Sequence, residues 1–322
     1  MNNTIRPRIN ASKEKILEAL LTYFYLTNEQ LLWLLYGSSS LSFVREQTRE
    51  LERAGYVLKV LLPRPGQAGS SPSVWTLSRR GMRHLADRFD VPSRARPSDE
   101  AQRSYWHLAH TLSLNDVLIA VSRLCQKIPG LTLAGMVHER TFKRRVPTRV
   151  DITVANGNGT ERKSVAVLPD AWLDVRLGRL QAALAVELDR GTVEQRDWNE
   201  RIAAYLAWSH GPYQAEPLFG GTESLTAAIV VDAPPYRAHN VLTWIERTLT
   251  ELRVEHEADL FRVALKPSSQ DGVERLFVSP VWFTPFRRAD VPARERQLSD
   301  YHPNHLVDPT GAPVEILMAP TA

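Results

Sequence analysis

The chain has 322 residues, of which 43% are hydrophobic and 24% are charged, and it carries a formal net charge of +4. This length suffices for about two globular domains, each with its own core. No apolar run approaches the roughly 18 residues that a membrane span requires, and no signal peptide opens the sequence, so we predict a cytoplasmic protein without a membrane partner.

Basic residues are concentrated in the first third of the chain. Residues 1–100 contain 15 Lys and Arg against 10 Asp and Glu, whereas residues 101–322 contain 25 against 26. A local excess of positive charge predicts an anionic partner for that region.

Residues 11–90 are predicted to form three helices, a β-hairpin and a fourth helix. Thr27 and Gln30 have the spacing of a capping box at the start of the second helix, and the third helix is expected from Ser40 to Ala54. Two short apolar runs then flank a loop rich in Pro, Gly and Ser. This order of elements predicts a winged helix-turn-helix, whose third helix enters a groove of DNA.

The predicted third helix carries arginines on the face opposite its apolar stripe, at helical spacing. Together with basic residues on and after the hairpin, they predict contacts to double-stranded DNA. The predicted contact residues are Ser42, Arg45, Arg49, Arg53, Arg64, Arg79 and Arg80. Two alternatives remain open: a solvated helix face neutralised by Glu46, Glu50 and Glu52, and a winged helix that only mediates dimerisation.

The order of elements changes after a stretch with two prolines and no apolar period. Helices and strands then alternate as in an α/β layer arrangement. The predicted helices are 106–126, 193–209 and 238–252, and the predicted strands are 131–140, 149–155, 163–175, 180–189, 225–232 and 260–266.

Two acidic residues follow short apolar runs that read as strands. Asp170 follows residues 164–168, and Glu187, seventeen positions later, follows residues 182–186. Adjacent strands would bring both carboxylates to one point, where hard oxygen ligands bind Mg²⁺ or Mn²⁺. Such a metal activates water and stabilises the leaving oxygen in phosphodiester cleavage.

This spacing resembles the PD-(D/E)xK nuclease superfamily, although Asp189 fills the position of its lysine and adds negative charge on the face of Glu187. The resemblance to the RecB-like branch implies a metal-ligating histidine, His110, in the preceding helix. It also implies that Arg201 and Tyr205 correspond to that branch's Gln-x-x-x-Tyr motif. The implied catalytic residues are Asp170, Glu187, Asp189, Arg201 and Tyr205, and the implied metal ligands are Asp170, Glu187 and His110. An arginine can clamp phosphate but cannot readily release a proton, so a scaffold that binds DNA or metal without cutting is the alternative.

The whole pattern resembles the replication-relaxation protein family over about residues 11–265. The resemblance rests on the strings at 106–116, 168–171, 186–192 and 201–205, of which Glu-Leu-Asp-Arg-Gly-Thr is the most specific. It implies a DNA-binding protein of a bacterial plasmid or integrative element, acting in replication, DNA relaxation or transfer. A homodimer and replication or conjugation proteins are further partners to expect.

The predicted fold is an α/β multidomain protein: an N-terminal winged helix-turn-helix followed by a restriction-endonuclease-like α/β domain. Two other functions stay open, an active Mg²⁺-dependent endonuclease or nickase using Asp170 and Glu187, and a winged-helix transcriptional regulator with a dimerising or sensing C-terminal domain. The predicted segments are a DNA-binding domain at 1–90, a linker at 91–104, a nuclease-like domain at 105–283 and a proline-rich tail at 284–322.

Overall fold

The chain divides into two compact units, residues 1–119 and 120–322. A computed structural model describes residues 9–37, 40–62, 72–86, 88–89, 103–142, 147–156, 159–178, 180–215, 225–292 and 295–306. The division falls inside a long helix, whereas most of the predicted linker 91–104 lies outside the described residues. None of the helices in the described ranges is both long and apolar enough to cross a membrane.

The first unit has the predicted order of three helices, a hairpin and a fourth helix. Its elements are α1 (Ala11–Tyr23), β1 (Leu26–Thr27), α2 (Asn28–Leu35), α3 (Leu41–Arg53), β2 (Val57–Leu61), β3 (Ser73–Leu77), α4 (Arg79–Ala86) and the first part of α5 (Tyr105–Lys127). The strands form an antiparallel sheet in the order β1-β3-β2.

Side-chain caps fix the starts of the helices in this unit. The predicted capping box is confirmed: the Thr27 hydroxyl accepts from the Gln30 N–H, and the Gln30 side chain accepts from the Thr27 N–H, both at 3.1 Å. Ser40 caps α3 in the same way by accepting from the Phe43 N–H. Because α3 buries Val44, Thr48 and Leu51, its opposite face is left to solvent.

The second unit is built on a seven-stranded mixed sheet. Its elements are the end of α5, β4 (Leu131–His138), α6 (Glu139–Phe142), β5 (Arg149–Asn156), β6 (Gly159–Ala166), β7 (Ala171–Leu177), β8 (Leu180–Asp189), α7 (Gln195–Ser209), β9 (Thr226–Val231), α8 (Pro235–Leu252), β10 (Phe261–Leu265), α9 (Gln270–Val278), β11 (Trp282–Arg288) and β12 (Tyr301–Asn304). The sheet order is β12-β11-β10-β9-β8-β7-β4, and β5 and β6 form a separate hairpin.

Strand direction decides which residues meet at each edge of the large sheet. β4, β7 and β8 are antiparallel neighbours, and β8, β9 and β10 are parallel. The carboxyl ends of β4, β8, β9 and β10 therefore lie at the same edge as the start of β7.

The predicted single strand at 163–175 is wrong. β6 ends at Ala166 and pairs with β5, whereas β7 begins at Ala171 and pairs with β4 and β8. Pro169 lies between them and has no N–H to donate to a strand ladder, so the chain can leave one sheet and enter another here.

The predicted irregular tail at 284–322 is wrong for its first part. Residues 284–288 belong to β11 and residues 301–304 form β12 at the sheet edge. Their prolines fit because an edge strand needs only some of its N–H groups for pairing. Glu246 of α8 holds the segment by accepting from the Phe286 N–H at 2.7 Å and the Tyr301 hydroxyl at 3.1 Å. Residues 307–322 lie outside the described ranges.

Candidate acidic site and DNA-contact surface

Asp170 lies immediately before β7 and beside the end of β8. Ala171 pairs with Val186, and the Leu188 N–H donates to Asp170 Oδ2 at 2.8 Å. The expectation that Asp170 ends a strand adjacent to that of Glu187 is therefore wrong, because the preceding strand, β6, ends at Ala166 and pairs with β5. Asp170 still reaches the end of β8, because the start of an antiparallel strand adjoins the end of its neighbour.

A further carboxylate, Glu139, lies beside Asp170. Glu139 follows β4 directly, its N–H donates to the Asp170 carbonyl at 2.7 Å, and one carboxylate oxygen of each residue lies within 4.8 Å of the other. Sequence reasoning missed Glu139 because residues 131–140 read as one continuous strand. The feature that could have identified Glu139 is its position at the end of β4, which pairs with β7, the strand that begins directly after Asp170.

Glu187 is buried at 3% exposure and is held by two residues of α7. Arg201 Nη1 donates to Oε2 at 2.9 Å, and the Tyr205 hydroxyl donates to Oε1 at 2.5 Å. The four-residue spacing of Arg201 and Tyr205 places both side chains on the same helix face, so both reach one carboxylate.

Both partners of Glu187 stay protonated at neutral pH. Burial, and then the negative charge of Glu187, raise the pKa of Tyr205 well above its usual value. Glu187 raises the pKa of Arg201, with smaller contributions from Asp170 and Asp189. Neither side chain can therefore accept a proton as a general base, and Arg201 is a fixed positive charge in the acidic site.

Asp189 is compensated by an arginine that the sequence did not single out. Arg237 of α8 donates from Nε to Asp189 Oδ2 at 2.5 Å and from Nη2 to Oδ1 at 3.2 Å. Asp189 is 1% and Arg237 8% exposed. The added negative charge expected from Asp189 is therefore neutralised within the fold. No local sequence signal identifies Arg237, because it lies 48 residues further along the chain.

His110 lies on α5, half-buried, in the part of that helix that belongs to the first unit. Its role as a metal ligand stays a prediction.

The predicted DNA-contact residues of α3, which are Ser42, Arg45, Arg49 and Arg53, are all exposed. Arg45 lies 3.6 Å from Glu29 across two half-exposed side chains, a pairing that contributes little to stability. Within the ranges that the structure describes, Arg49 and Arg53 form no ion pair. Glu50, one of the three glutamates considered as neutralising partners, pairs instead with Lys13 at 2.6 Å.

The two arginines after the hairpin have different environments. Arg79 is exposed, whereas Arg80 Nη1 donates to the Ala54 carbonyl at 2.6 Å and its guanidinium lies 4.4 Å from the centre of the Tyr56 ring. Arg80 thus binds the C-terminal end of α3. Arg64 lies outside the described residues.

The family model of the replication-relaxation proteins matches residues 17–222 of this chain. The match covers more than half of the chain. The chain belongs to the replication-relaxation family.

In this replication-relaxation protein, the family match includes the arginine face of α3 and the acidic residues from Glu139 to Asp189. It also includes Arg201 and Tyr205. Arg237, which neutralises Asp189, lies beyond the matched residues.

No curated protein matches this replication-relaxation chain. A structure of the restriction endonuclease FokI bound to DNA matches at 12% identity and a TM-score of 0.26, covering 85% of this chain and 46% of that one. The chain thus spans less than half the length of the FokI chain, and a TM-score this low does not show a shared fold.

Proposed function

We propose that this replication-relaxation protein binds double-stranded DNA through a winged helix-turn-helix in its first unit. The bound protein would act in replication, DNA relaxation or transfer of a bacterial plasmid or integrative element. The observation that carries the proposal is the exposed face of α3, where Arg49 and Arg53 form no ion pair within the described ranges. The order of α1 to α3 followed by the β2–β3 hairpin supports it, because a winged helix presents its third helix to a groove.

Salt dependence of binding tests this proposal. Removal of one phosphate-binding side chain should reduce the slope of log affinity against log salt by about 0.9, so Arg49→Ala/Arg53→Ala should reduce it by roughly 1.8. The matched control is Arg275→Ala, which removes an exposed arginine from α9 in the second unit. A double variant that binds duplex DNA with the wild-type affinity and slope would refute a DNA-binding role for α3.

A second candidate function is a metal-dependent endonuclease or nickase at the acidic site. The favouring observation is the approach of Glu139 and Asp170 to within 4.8 Å. Support comes from the order of elements: helix α5, antiparallel β4, β7 and β8, helix α7, then β9 parallel to β8. This arrangement brings the ends of β4 and β8 to the start of β7, where the acidic residues lie.

The residues at this edge fit a hard divalent cation. Glu139 and Asp170 would hold Mg²⁺ or Mn²⁺ through carboxylate oxygens. Arg201 and Tyr205 of α7 hold the Glu187 carboxylate through a hydrogen bond to each of its oxygens. The bound metal would supply water activation and stabilisation of the leaving oxygen. Arg201 would clamp the phosphate, in place of the nuclease lysine whose position Asp189 fills here.

Nicking of supercoiled plasmid in Mg²⁺ or Mn²⁺ tests the enzyme. Wild-type protein should produce open-circular DNA, and Asp170→Asn and Glu139→Gln should abolish it. Asp151→Asn, which changes an exposed aspartate on β5, is the control and should retain activity. If the wild-type protein produces no nicks, the endonuclease hypothesis is refuted and the alternative of a scaffold that binds DNA without cutting it is favoured.

A further inference from the structure

We propose that Arg237 is a positioning residue of the acidic site, acting on Asp170 through Asp189 and the end of β8. The inference rests on the proposed metal-binding role of that site. It adds Arg237, which lies outside the family match, and gives Asp189 a structural role in place of the catalytic role that the sequence implied.

The guanidinium of Arg237 contacts several groups of the protein at once. Besides its two bonds to Asp189, its Nη2 donates to the Val193 carbonyl at 2.5 Å. Its guanidinium also lies 4.8 Å from the centre of the Trp244 ring on the same helix. Packing and hydrogen bonds thus fix the side chain from several directions, and it joins α8 to the turn between β8 and α7.

Three N–H groups of the protein donate to the Asp189 carboxylate. Its Oδ1 accepts from the Gly191 N–H at 2.9 Å as well as from Arg237, and its carbonyl accepts from the Asp232 N–H at 2.8 Å. Gly191 has φ +77°, a left-handed conformation that glycine adopts without steric cost. Asp189 therefore holds the tight turn after β8 and the neighbouring β9, and Arg237 compensates its charge within the fold.

The connection to the acidic site runs through one residue. Leu188 lies between Glu187 and Asp189, and its N–H holds Asp170 Oδ2. Because this bond fixes one oxygen of Asp170, it also fixes the orientation of the whole carboxylate that would bind a metal together with Glu139. Removal of hydrogen bonds that orient ligands in this way typically changes metal affinity 10–100-fold.

Removal of Arg237 should therefore act at a distance. Asp189 would be left as a buried carboxylate without its counter-charge, and the strand end would shift to bring it toward water. The Leu188 N–H would move with it, so Asp170 would no longer have a fixed orientation.

Titration of the full-length chain with Mn²⁺ by calorimetry tests this role. Arg237→Gln and Asp189→Asn should each weaken Mn²⁺ binding about 10–100-fold. Arg237→Lys should give an intermediate loss, because an ammonium keeps the charge but cannot form the two-pronged contact. The Arg237→Lys variant also tests the inference if Arg237→Gln does not fold.

Arg288→Gln is the matched control, because Arg288 forms a comparably buried pair with Glu246 elsewhere in the same unit, at 2.9 Å. It should lower the melting temperature and leave Mn²⁺ affinity unchanged, which separates positioning from loss of stability. Unchanged or tighter Mn²⁺ binding by folded Arg237 variants would overturn the inference, and tighter binding would indicate that Arg237 competes with the metal for Asp189. A wild-type chain that binds no Mn²⁺ would refute the metal-binding proposal itself, and this inference with it.

Discussion

Three carboxylates near one strand end have three different partners. Asp170 is bound by a backbone N–H of β8, Glu187 by two side chains of α7, and Asp189 by an arginine of α8. The residues are chemically alike, so their environment sets their roles. Glu187 is fixed against α7, whereas Asp189 stabilises the turn that follows β8.

The bond from Tyr205 to Glu187 should contribute measurably to stability. Tyr205→Phe removes a hydroxyl that donates to a buried carboxylate, so the free energy of unfolding should fall by about 1.5–3 kcal/mol. Tyr213→Phe is the control, because Tyr213 is equally buried but, among the described residues, its hydroxyl has only a 3.4 Å contact with Gln214. Denaturant titration gives both values, and equal reductions in the two variants would contradict a specific role for the Glu187 bond.

The same tyrosine should make stability depend on alkaline pH. Because burial and Glu187 raise the pKa of Tyr205 in the folded protein, the unfolded chain releases this proton first, above about pH 10. The stabilisation is therefore complete below that pH and declines as pH rises further. The difference in unfolding free energy between wild type and Tyr205→Phe should shrink between about pH 10 and pH 11. A difference that stays constant over this range would exclude the effect.

Individual helices of this chain are more predictable than individual strands. The Thr27–Gln30 box and the apolar stripe of α3 are local patterns, and the structure has both at the predicted positions. The break between β6 and β7 and the strands after Trp282 depend on pairing between distant segments, which no local pattern specifies. Glu139 and Arg237 escape sequence reasoning for the same reason, since each is defined by an interaction across the fold.

Arg79 and Arg80 are adjacent at the start of α4, but only Arg80 contacts the C-terminal end of α3. Arg80→Ala removes the bond to the Ala54 carbonyl and the packing against the Tyr56 ring, so the unfolding free energy should fall by about 1–3 kcal/mol. Arg79→Ala changes an exposed side chain and should alter stability by less than about 0.5 kcal/mol. If Arg79 contacts DNA, its variant should instead bind duplex more weakly. Equal stability of the two variants would contradict the structural role of Arg80.

At the scale of the whole molecule, the first unit includes residues beyond the predicted linker. Leu108 and Leu112 of α5 belong to the same apolar cluster as Tyr25. The Asn115 side chain donates to the carbonyls of Tyr23 and Tyr25 at 2.9 and 2.7 Å. The first part of α5 therefore completes the core of the unit that precedes the linker in sequence.

This packing predicts how the chain responds to cleavage. Residues 91–104 have no apolar face to bury, so limited proteolysis should cut there first. The two pieces should nevertheless elute together in gel filtration, because α5 residues from the second piece stay packed in the first unit.

Two fragments test this argument directly. A fragment of residues 1–119 keeps the packing of α5. A fragment of residues 1–90 lacks α5, so the apolar surface that Leu108 and Leu112 cover is exposed, and the carbonyls of the two tyrosines lose the Asn115 amide. The shorter fragment should therefore be less stable by at least about 3 kcal/mol, the contribution of burying two leucines. Asn115→Ala in the longer fragment should reproduce part of this destabilisation, because it leaves buried carbonyls without donors. Equal stability of the two fragments, or nicked pieces that separate without denaturant, would show that the first unit ends before the linker.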